Sequence, residues 1–359
     1  MIRSAKTILH LQFYIFDPDE TGRKILQELK NAVERGVSVY LVVDGFGSYG
    51  LKRQLNEELE SSGIHFRFFS SLPFQALKQP ARRLHHKICV ADERTALIGG
   101  INIADKYYGV NGLPPWLDYA VKVEGRVCTS IHLFCESIYN RKFTKRGYPL
   151  LKNFKPKPGH ASGTLVRLSI NDWLRRKNEI SSAYKYMLKG AHKEIIIVAS
   201  YFIPTRRLLN IILRAAKRKR SVAIILGKNS DVPFIKPAMT YLYGKLLSGN
   251  IRIFEYSESV LHAKVCVVDQ KWSSIGSHNL NQLSEFFSVE ANLEILDRSF
   301  AILLANELKE LMLKHCVEVD KSEFIRSENI FKKIWNRFSY TLISVTMRVL
   351  DIFNIRDRK

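Results

Sequence analysis

The sequence predicts an α/β protein built twice. Three observations carry that prediction. A motif of the form H-x-K-x4-D-x6-G-G-x-N runs from His85 through Lys87, Asp92 and Gly99-Gly100 to Asn102. It returns at His262, Lys264, Asp269, Gly276-Ser277 and Asn279 with the same offsets. Each copy sits on a short apolar run, at 88–91 and 265–268, and each follows a similar alternation of apolar runs and amphipathic segments. Between them, the stretch 150–163 is rich in Pro, Gly and Lys, the composition of a linker. The expected organisation is a first unit over 1–150, a linker over 151–163, a second unit over 164–318, and a basic amphipathic helix over 319–359.

The first unit opens with a strand at 8–16. Asp17-Pro18-Asp19 turns the chain into a helix whose inner face is Ile25, Leu26, Leu29, Ala32 and Val33, and Gly36 stops it. A buried strand at 37–43, a loop at 44–47, a helix at 51–62 and a strand at 64–69 follow. A basic loop holding Phe74, Pro80, Arg82 and Arg83 leads into the first motif. After Asn102 comes a loop with Pro114, Pro115 and Trp116, then a strand at 118–123. A helix at 126–139 presents Val127, Ile131, Phe134, Cys135 and Ile138 inward.

The second unit repeats this order, with strands at 195–201, 222–226, 251–256 and 290–296 and helices at 205–217, 237–247 and 300–313. Tyr201 stands six residues after Ile195, as Tyr14 stands after Ile8. The second unit also carries a helix at about 177–189 ahead of its first strand. The first unit begins almost at its strand, so the matching helix is expected either upstream of Met1 or missing.

The residue types suit phosphoryl chemistry. On a strand, His and Lys two apart share a face. A His can act as nucleophile or proton carrier, and a Lys beside it supplies fixed positive charge. A Gly-rich turn lets backbone approach a ligand, and Asn adds a donor. One copy makes half a site. Two copies make a nucleophile on one side of a phosphorus and a general acid on the other.

These motifs resemble the HKD motifs of the phospholipase D superfamily. The surroundings are similar to its bacterial cardiolipin synthase branch: Asn102-Ile103-Ala104-Asp105-Lys106-Tyr107, Trp116-Leu117-Asp118-Tyr119-Ala120-Val121, Tyr201-Phe202-Ile203-Pro204, and Leu261-His262-Ala263-Lys264 with Gly276-Ser277-His278-Asn279-Leu280. The resemblance spans roughly residues 5 to 315. It implies duplicated phospholipase D-like units, each a mixed sheet flanked by helices, with the active site between the halves.

It also implies site roles. His85 is the expected nucleophile and His262 the expected general acid. Lys87, Lys264, Asn102 and Asn279 would hold the non-bridging oxygens. Asp118 and Glu290, each just beyond a motif, are the acids expected to bond the far ring nitrogen of a catalytic His. Asp92 and Asp269 are expected to be structural, bonding the Gly turn. His86 competes with His85 for the first position, but Lys87 fixes the register on His85. Arg82 and Arg83 are candidates for a lipid phosphate, and His278 for the pocket lining. No cofactor and no metal are required, since two Lys and two Asn supply the positive field.

Charge narrows the partners. Lys and Arg number 56 against 34 acidic residues, a net +22, which favours a polyanion or an anionic membrane surface. The five cysteines form no C-x-x-C pair, so they are expected to be reduced and structural. No apolar run of spanning length is present; the longest, 338–355, is broken by Arg348 and Asp351.

Beyond both repeats, Phe331, Ile334, Trp335, Phe338, Leu342, Val345, Val349, Ile352 and Phe353 recur at helical spacing among Lys332, Lys333, Arg337, Arg348, Arg356, Arg358 and Lys359. That pattern reads as an interfacial anchor; a core-packing helix is the alternative. The expected activity is transfer of a phosphatidyl group between two phosphatidylglycerols through a phosphohistidine, yielding cardiolipin and glycerol. The expected setting is the cytoplasmic side of a bacterial cell membrane, peripherally bound, with anionic phospholipid as substrate and no nucleic acid partner. Hydrolysis by the same mechanism, as a phospholipase D or nuclease, and a non-catalytic membrane-binding role are the rivals.

Overall fold

A computed structural model describes residues 1–69, 82–110, 112, 114–142, 144, 147–153 and 163–356. Side chains of these residues are described through residue 347, Lys52, Arg53, Lys152 and Asn153 excepted. The expected positions of Phe74 and Pro80, most of the linker, and Arg358 and Lys359 lie outside the described residues. The chain divides into two compact units. One is Met1–Ile180 with Ile275–His278 and Phe287–Glu294, and the other is Ser181–Ser274 with Asn279–Phe286 and Ile295–Lys359.

Through residue 180 the elements are β1 (Ile8–Phe13), α1 (Glu20–Glu34), β2 (Ser38–Val43), α2 (Tyr49–Ser61), β3 (His65–Phe68), β4 (Arg83–Leu84), β5 (Lys87–Ala91), β6 (Thr95–Gly99), α3 (Asp105–Tyr108), β7 (Ala120–Glu124), α4 (Val127–Tyr139), α5 (Pro149–Asn153), β8 (Leu165–Asp172) and β9 (Lys177–Asn178). Helix α6 (Glu179–Gly190) begins at the boundary. Six strands make one sheet in the order β3-β2-β1-β5-β6-β7. Strands β1, β2 and β3 run parallel because helical crossovers join them. The motif strand β5 lies antiparallel beside β1, with Leu9 opposite Ala91, and turns back through β6. Helix α1 starts at Asp19, whose side chain accepts from Gly22 N, and buries Leu26, Leu29 and Ala32.

The remaining elements are β10 (Glu194–Ala199), α7 (Arg206–Lys217), β11 (Ser221–Gly227), α8 (Ile235–Ser248), β12 (Arg252–Tyr256), β13 (Lys264–Val268), β14 (Trp272–Gly276), α9 (Gln282–Phe286), β15 (Ser288–Leu296), α10 (Arg298–His315), β16 (Cys316–Glu318), α11 (Lys321–Ser327) and α12 (Ile330–Arg356). In the second unit the strand order is β16-β12-β11-β10-β13-β14. Strands β12, β11 and β10 are parallel, and the motif strand β13 is antiparallel to β10. The first unit has the same pattern with β3, β2, β1 and β5, so the duplication extends from the motif to the sheet topology.

Two elements depart from expectation. Strand β8 is not legible in the sequence because its second half buries Ser169, Asn171 and Asp172. Those polar groups are accepted inside because they are bonded: Asn171 Oδ1 accepts from Ile180 N at 3.0 Å, and Asp172 takes Arg82 and Tyr148. The C-terminal segment is two helices, not one. Helix α12 lies against α8 and turns Asn336 and Ser339 inward, while Phe331, Ile334, Trp335 and Phe338 stay 80, 60, 49 and 51% exposed. A core helix would do the reverse. The cysteines are free; four are buried and Cys316 is partly exposed.

The aspartate of each motif has a definite task, though not the expected one. Asp92 accepts from Lys6 N, Thr7 N and Ile8 N at 2.9, 2.8 and 3.1 Å, and from Thr7 Oγ1 at 2.8 Å. Asp269 accepts from His192 N, Lys193 N and Glu194 N at 2.7, 2.7 and 3.0 Å. The carboxylates therefore cap the starts of β1 and β10 and do not bond the Gly turn. Both residues sit at φ 53°, which aims the side chain back at the neighbouring strand's first amides. Asp92→Ala removes four hydrogen bonds to a carboxylate. The expected loss is on the order of 2 kcal/mol, a fall of several degrees in Tm. Thermal unfolding checks it, and an unchanged Tm would contradict the capping role.

Candidate active site

The site in the first unit begins with a short parallel pairing. Strand β4 lies beside β15, with Arg83 opposite Ser288 and Leu84 opposite Val289. The backbone of His85 and of His86 donates to Val289 O at 3.0 and 3.1 Å. Asp44, fully buried, accepts from Leu84 N at 2.9 Å and from Phe46 N and Gly47 N. These bonds fix where the His85 ring can go.

That ring meets Glu290. Its Nδ1 lies 2.9 Å from Oε1 and 3.0 Å from Oε2 of the carboxylate, which is wholly buried. Ser277 Oγ donates to Oε2 at 2.5 Å. Burial pushes the Glu290 carboxyl up, but the opposing charge and hydrogen bond of His85, with His278 and Lys87, outweigh it and hold it well below the usual carboxylate range. A carboxylate on Nδ1 fixes the tautomer and directs the ring's chemistry to Nε2. His278, expected to line the pocket, contributes at least this field, and its backbone N donates to Asn292 Oδ1 at 3.2 Å.

Tyr14 closes one side, its ring centroid 4.9 Å from that of His85, and Lys87 Nζ stands over the Tyr14 ring at 5.4 Å. Lys87 is almost fully buried and donates to His85 O; β5 begins at Lys87, so His85 stands just ahead of the strand, and the two side chains meet at the Tyr14 ring rather than through strand alternation. Asn102 is anchored through its carbonyl: Oδ1 accepts from Ile15 N at 3.0 Å, and Nδ2 donates to Tyr107 Oη at 2.7 Å. Asp118 packs directly on the Gly turn. A Cβ at Gly100 would fall 2.2 Å from Asp118 Oδ1, so a side chain there would require the carboxylate to move.

His86 is not a competitor. It is buried and neutral, its basicity lowered to about 3 by burial and by the Lys87 charge. Its Nε2 bonds Gln12 Oε1 at 2.8 Å, and Gln12 Nε2 in turn donates to Cys135 O at 2.7 Å. Arg82 is not placed for a lipid phosphate either. It forms a two-pronged pair with Asp172, 3.2 and 2.6 Å, with both side chains buried. A guanidinium this far from water needs a fixed counter-charge, and Asp172 supplies it. Arg83 lies over the Phe46 ring at 5.0 Å.

The second unit carries its own half. Lys264 Nζ donates to His262 O and lies 2.9 Å from His262 Nδ1. Asn279 Oδ1 accepts from Ser200 Oγ at 2.9 Å, so both motif asparagines are tethered by the carbonyl at the end of the first strand of their unit. Tyr201 stands edge-on to His262 at 6.2 Å, as Tyr14 stands by His85. Sequence reasoning noted the register of this tyrosine pair but gave it no role. It missed Asp44 and Ser277 altogether, because a single Asp in a loop and a Ser in a Gly turn carry no periodic signal.

Glu290 makes stability depend on pH in a stated direction. Its native carboxyl titrates below its ordinary value, so the ion pair contributes fully above that value and is lost as pH falls through the native one. The stability difference between the wild type and Glu290→Gln should therefore shrink on acidification. Urea unfolding at a series of pH values measures it, and a difference independent of pH would show that the buried carboxylate is not ionised.

The chain matches the family described as cardiolipin synthase, PLD-like domain, over residues 1–112 and 184–312. It is 35% identical over 328 residues to cardiolipin synthase B of Salmonella typhi, covering 89% of this chain and 78% of that one. Cardiolipin synthase B of Escherichia coli strain K12 is 32% identical over the same span of 328 residues, with the same coverage. Among solved structures, phosphatidylserine synthase of Haemophilus influenzae Rd KW20 superposes with a TM-score of 0.74 at 16% identity, over 97% of this chain and 89% of that one, a likeness of fold. By family match, sequence identity and fold, the chain belongs to the cardiolipin synthase family of phospholipase D-like proteins.

Proposed function

We propose that the chain is a phosphatidyltransferase that makes cardiolipin from two phosphatidylglycerols. The observation that carries the reading is the buried Glu290 carboxylate on His85 Nδ1, within a duplicated HKD motif in a member of this family. His85 Nε2 attacks the phosphorus of one phosphatidylglycerol, and the bond to the glycerol headgroup breaks. His262 gives its proton to the departing glycerol oxygen. The phosphatidyl group is then held on His85. A hydroxyl of the second phosphatidylglycerol loses its proton to His262 and attacks, and His85 leaves. The product is cardiolipin, and both histidines return to their starting state.

Lys87 and Lys264 stabilise the extra negative charge on the non-bridging oxygens, and Asn102 and Asn279 add amide donors. Glu290 holds His85 in the reactive tautomer and stabilises its positive form. By analogy with Glu290 we read Asp118 as the acid that orients the other motif histidine, a reading supported by each acid abutting the second residue of its own Gly turn, Gly100 and Ser277. Asp92 and Asp269 act at a distance, by holding the strands that carry the motifs.

The exposed apolar row of α12, flanked by Lys332, Lys333 and Arg337, supports a peripheral seat on an anionic membrane, which we place on the cytoplasmic face of the bacterial cell membrane. No helix among the described residues is long and apolar enough to cross a membrane. That apolar row also favours a lipid acceptor over water or a nucleic acid substrate.

His85→Ala and His262→Ala should each abolish turnover of labelled phosphatidylglycerol vesicles. Acid-labile phosphate should accumulate on protein in His262→Ala and not in His85→Ala; the opposite pattern would reverse the two roles. Glu290→Gln should lose roughly a hundred- to ten-thousand-fold in turnover, by analogy with triad carboxylates. Removing 327–359 should weaken binding to anionic vesicles while sparing turnover in mixed micelles. If the truncated protein is as inactive in micelles as Glu290→Gln, the helix belongs to the catalytic fold and the anchor reading fails.

A further inference from the structure

The second unit contains a groove that the chemistry above does not use. It has a volume of about 360 Å³ and lies between α12, the loop ahead of α8 and the start of α9. Its walls are almost entirely apolar, with Ile203, Phe234, Leu283, Leu342 and Met347 among them. At one end it reaches Tyr201 and Asn281. Tyr201 is the residue edge-on to His262, and Asn281 lies two residues past the motif's Asn279. The bridge between Ile203 and Asn281 fixes that end of the groove to the motif turn. Phe234 also packs at a tilt against Trp335, ring centroids 5.6 Å apart, and Trp335 stacks on Phe338 in the exposed row of α12.

We propose that this groove binds one acyl chain of a phospholipid whose phosphodiester is presented to His262. The assignment rests on the lipid-transfer reading and adds to it a chain-binding site in the second unit. The groove is mostly apolar: Tyr201, Asn281 and Gln282 give it polar groups beside the motif turn, and along α12 the hydroxyls of Ser344 and Thr346 interrupt an otherwise aliphatic wall, a lining that suits a phospholipid chain below its headgroup. Its rim leaves Val232, Phe234, Leu283 and Leu342 between 38 and 41% exposed, apolar surface that an aliphatic chain would cover. Its far rim runs on into the row proposed to meet the membrane, so a chain can stay in an apolar environment from bilayer to motif. A protein segment would bring backbone amides into a groove with few groups to bond them, at a cost an acyl chain does not incur.

Monomeric substrate separates this groove from membrane attachment. Dibutanoyl, dihexanoyl and dioctanoyl phosphatidylglycerol, each below its micelle-forming concentration, are compared in the full-length protein. Each methylene that enters the groove should raise kcat/KM by roughly fourfold. Leu283→Trp and Thr346→Trp, which crowd the groove, should flatten that dependence and leave dibutanoyl turnover close to wild type. A readout free of catalysis uses dioctanoyl phosphatidylglycerol brominated in its chains. It should quench the Trp335 fluorescence, taken as the difference between wild type and Trp335→Phe, and quenching should be lost in Thr346→Trp. Turnover without chain-length dependence, or equal quenching in the crowded variants, overturns the groove and leaves the transfer reading intact. If no phosphatidylglycerol is turned over, the transfer reading fails, and the quenching measurement still decides whether the groove takes a chain.

Discussion

A carboxylate with no exposure to water must be either neutralised or paired, and the way Glu290 is paired governs the architecture around it. It is met by a histidine nitrogen, a serine hydroxyl and the field of His278 and Lys87. His85 and Lys87 arrive at the start of β5, Ser277 and His278 in the turn after β14, and the two segments must be placed together. The sheet supplies that placement. Leu84 is held by Asp44, His85 and His86 are held by Val289 O, and Asp92 fixes the start of the strand that pairs with the motif. Buried polar groups remote from the chemistry thus set the position of the reactive ring.

The sequence was informative wherever function and periodicity coincide. The duplicated motif and the strand that follows each His-x-Lys could be read from spacing and apolar runs, although each strand begins at the lysine and leaves the histidine just ahead of it. Glu290 was legible as an acid just beyond its motif. What could not be read was which histidine it serves, because Glu290 follows the second motif in the chain and yet bonds the histidine of the first. Sequence distance carries no information about that pairing.

Other misreadings share one cause. Arg82 looked like a phosphate ligand because it stands in a basic stretch before the motif, but its counter-charge, Asp172, sits on β8, a strand hidden by its own buried polar residues. The two failures are linked: an unseen strand left a visible arginine without its partner. Asp92 and Asp269 were correctly taken as structural, but their partners were sought in the nearby turn. Long-range pairing to the start of β1 and β10 is stronger because three backbone amides converge there on one carboxylate.

The two halves also show how a repeat diverges without losing its geometry. Where the first turn has Gly100 the second has Ser277, and where the first unit has Asp118 the second motif is followed by Glu290. These changes are coupled by space. Asp118 lies so close to Gly100 that a Cβ there would displace its carboxylate. At the matching position Ser277 keeps a side chain, which Glu290 tolerates by turning an oxygen to accept from the hydroxyl at 2.5 Å. Carboxylate and turn residue therefore vary as a pair: Asp against glycine, Glu against serine. The added hydroxyl gives Glu290 a donor that Gly100 cannot give Asp118. Glu290 is thus held both by the imidazole nitrogen and by the serine hydroxyl, which suits the ring that must be kept in one tautomer.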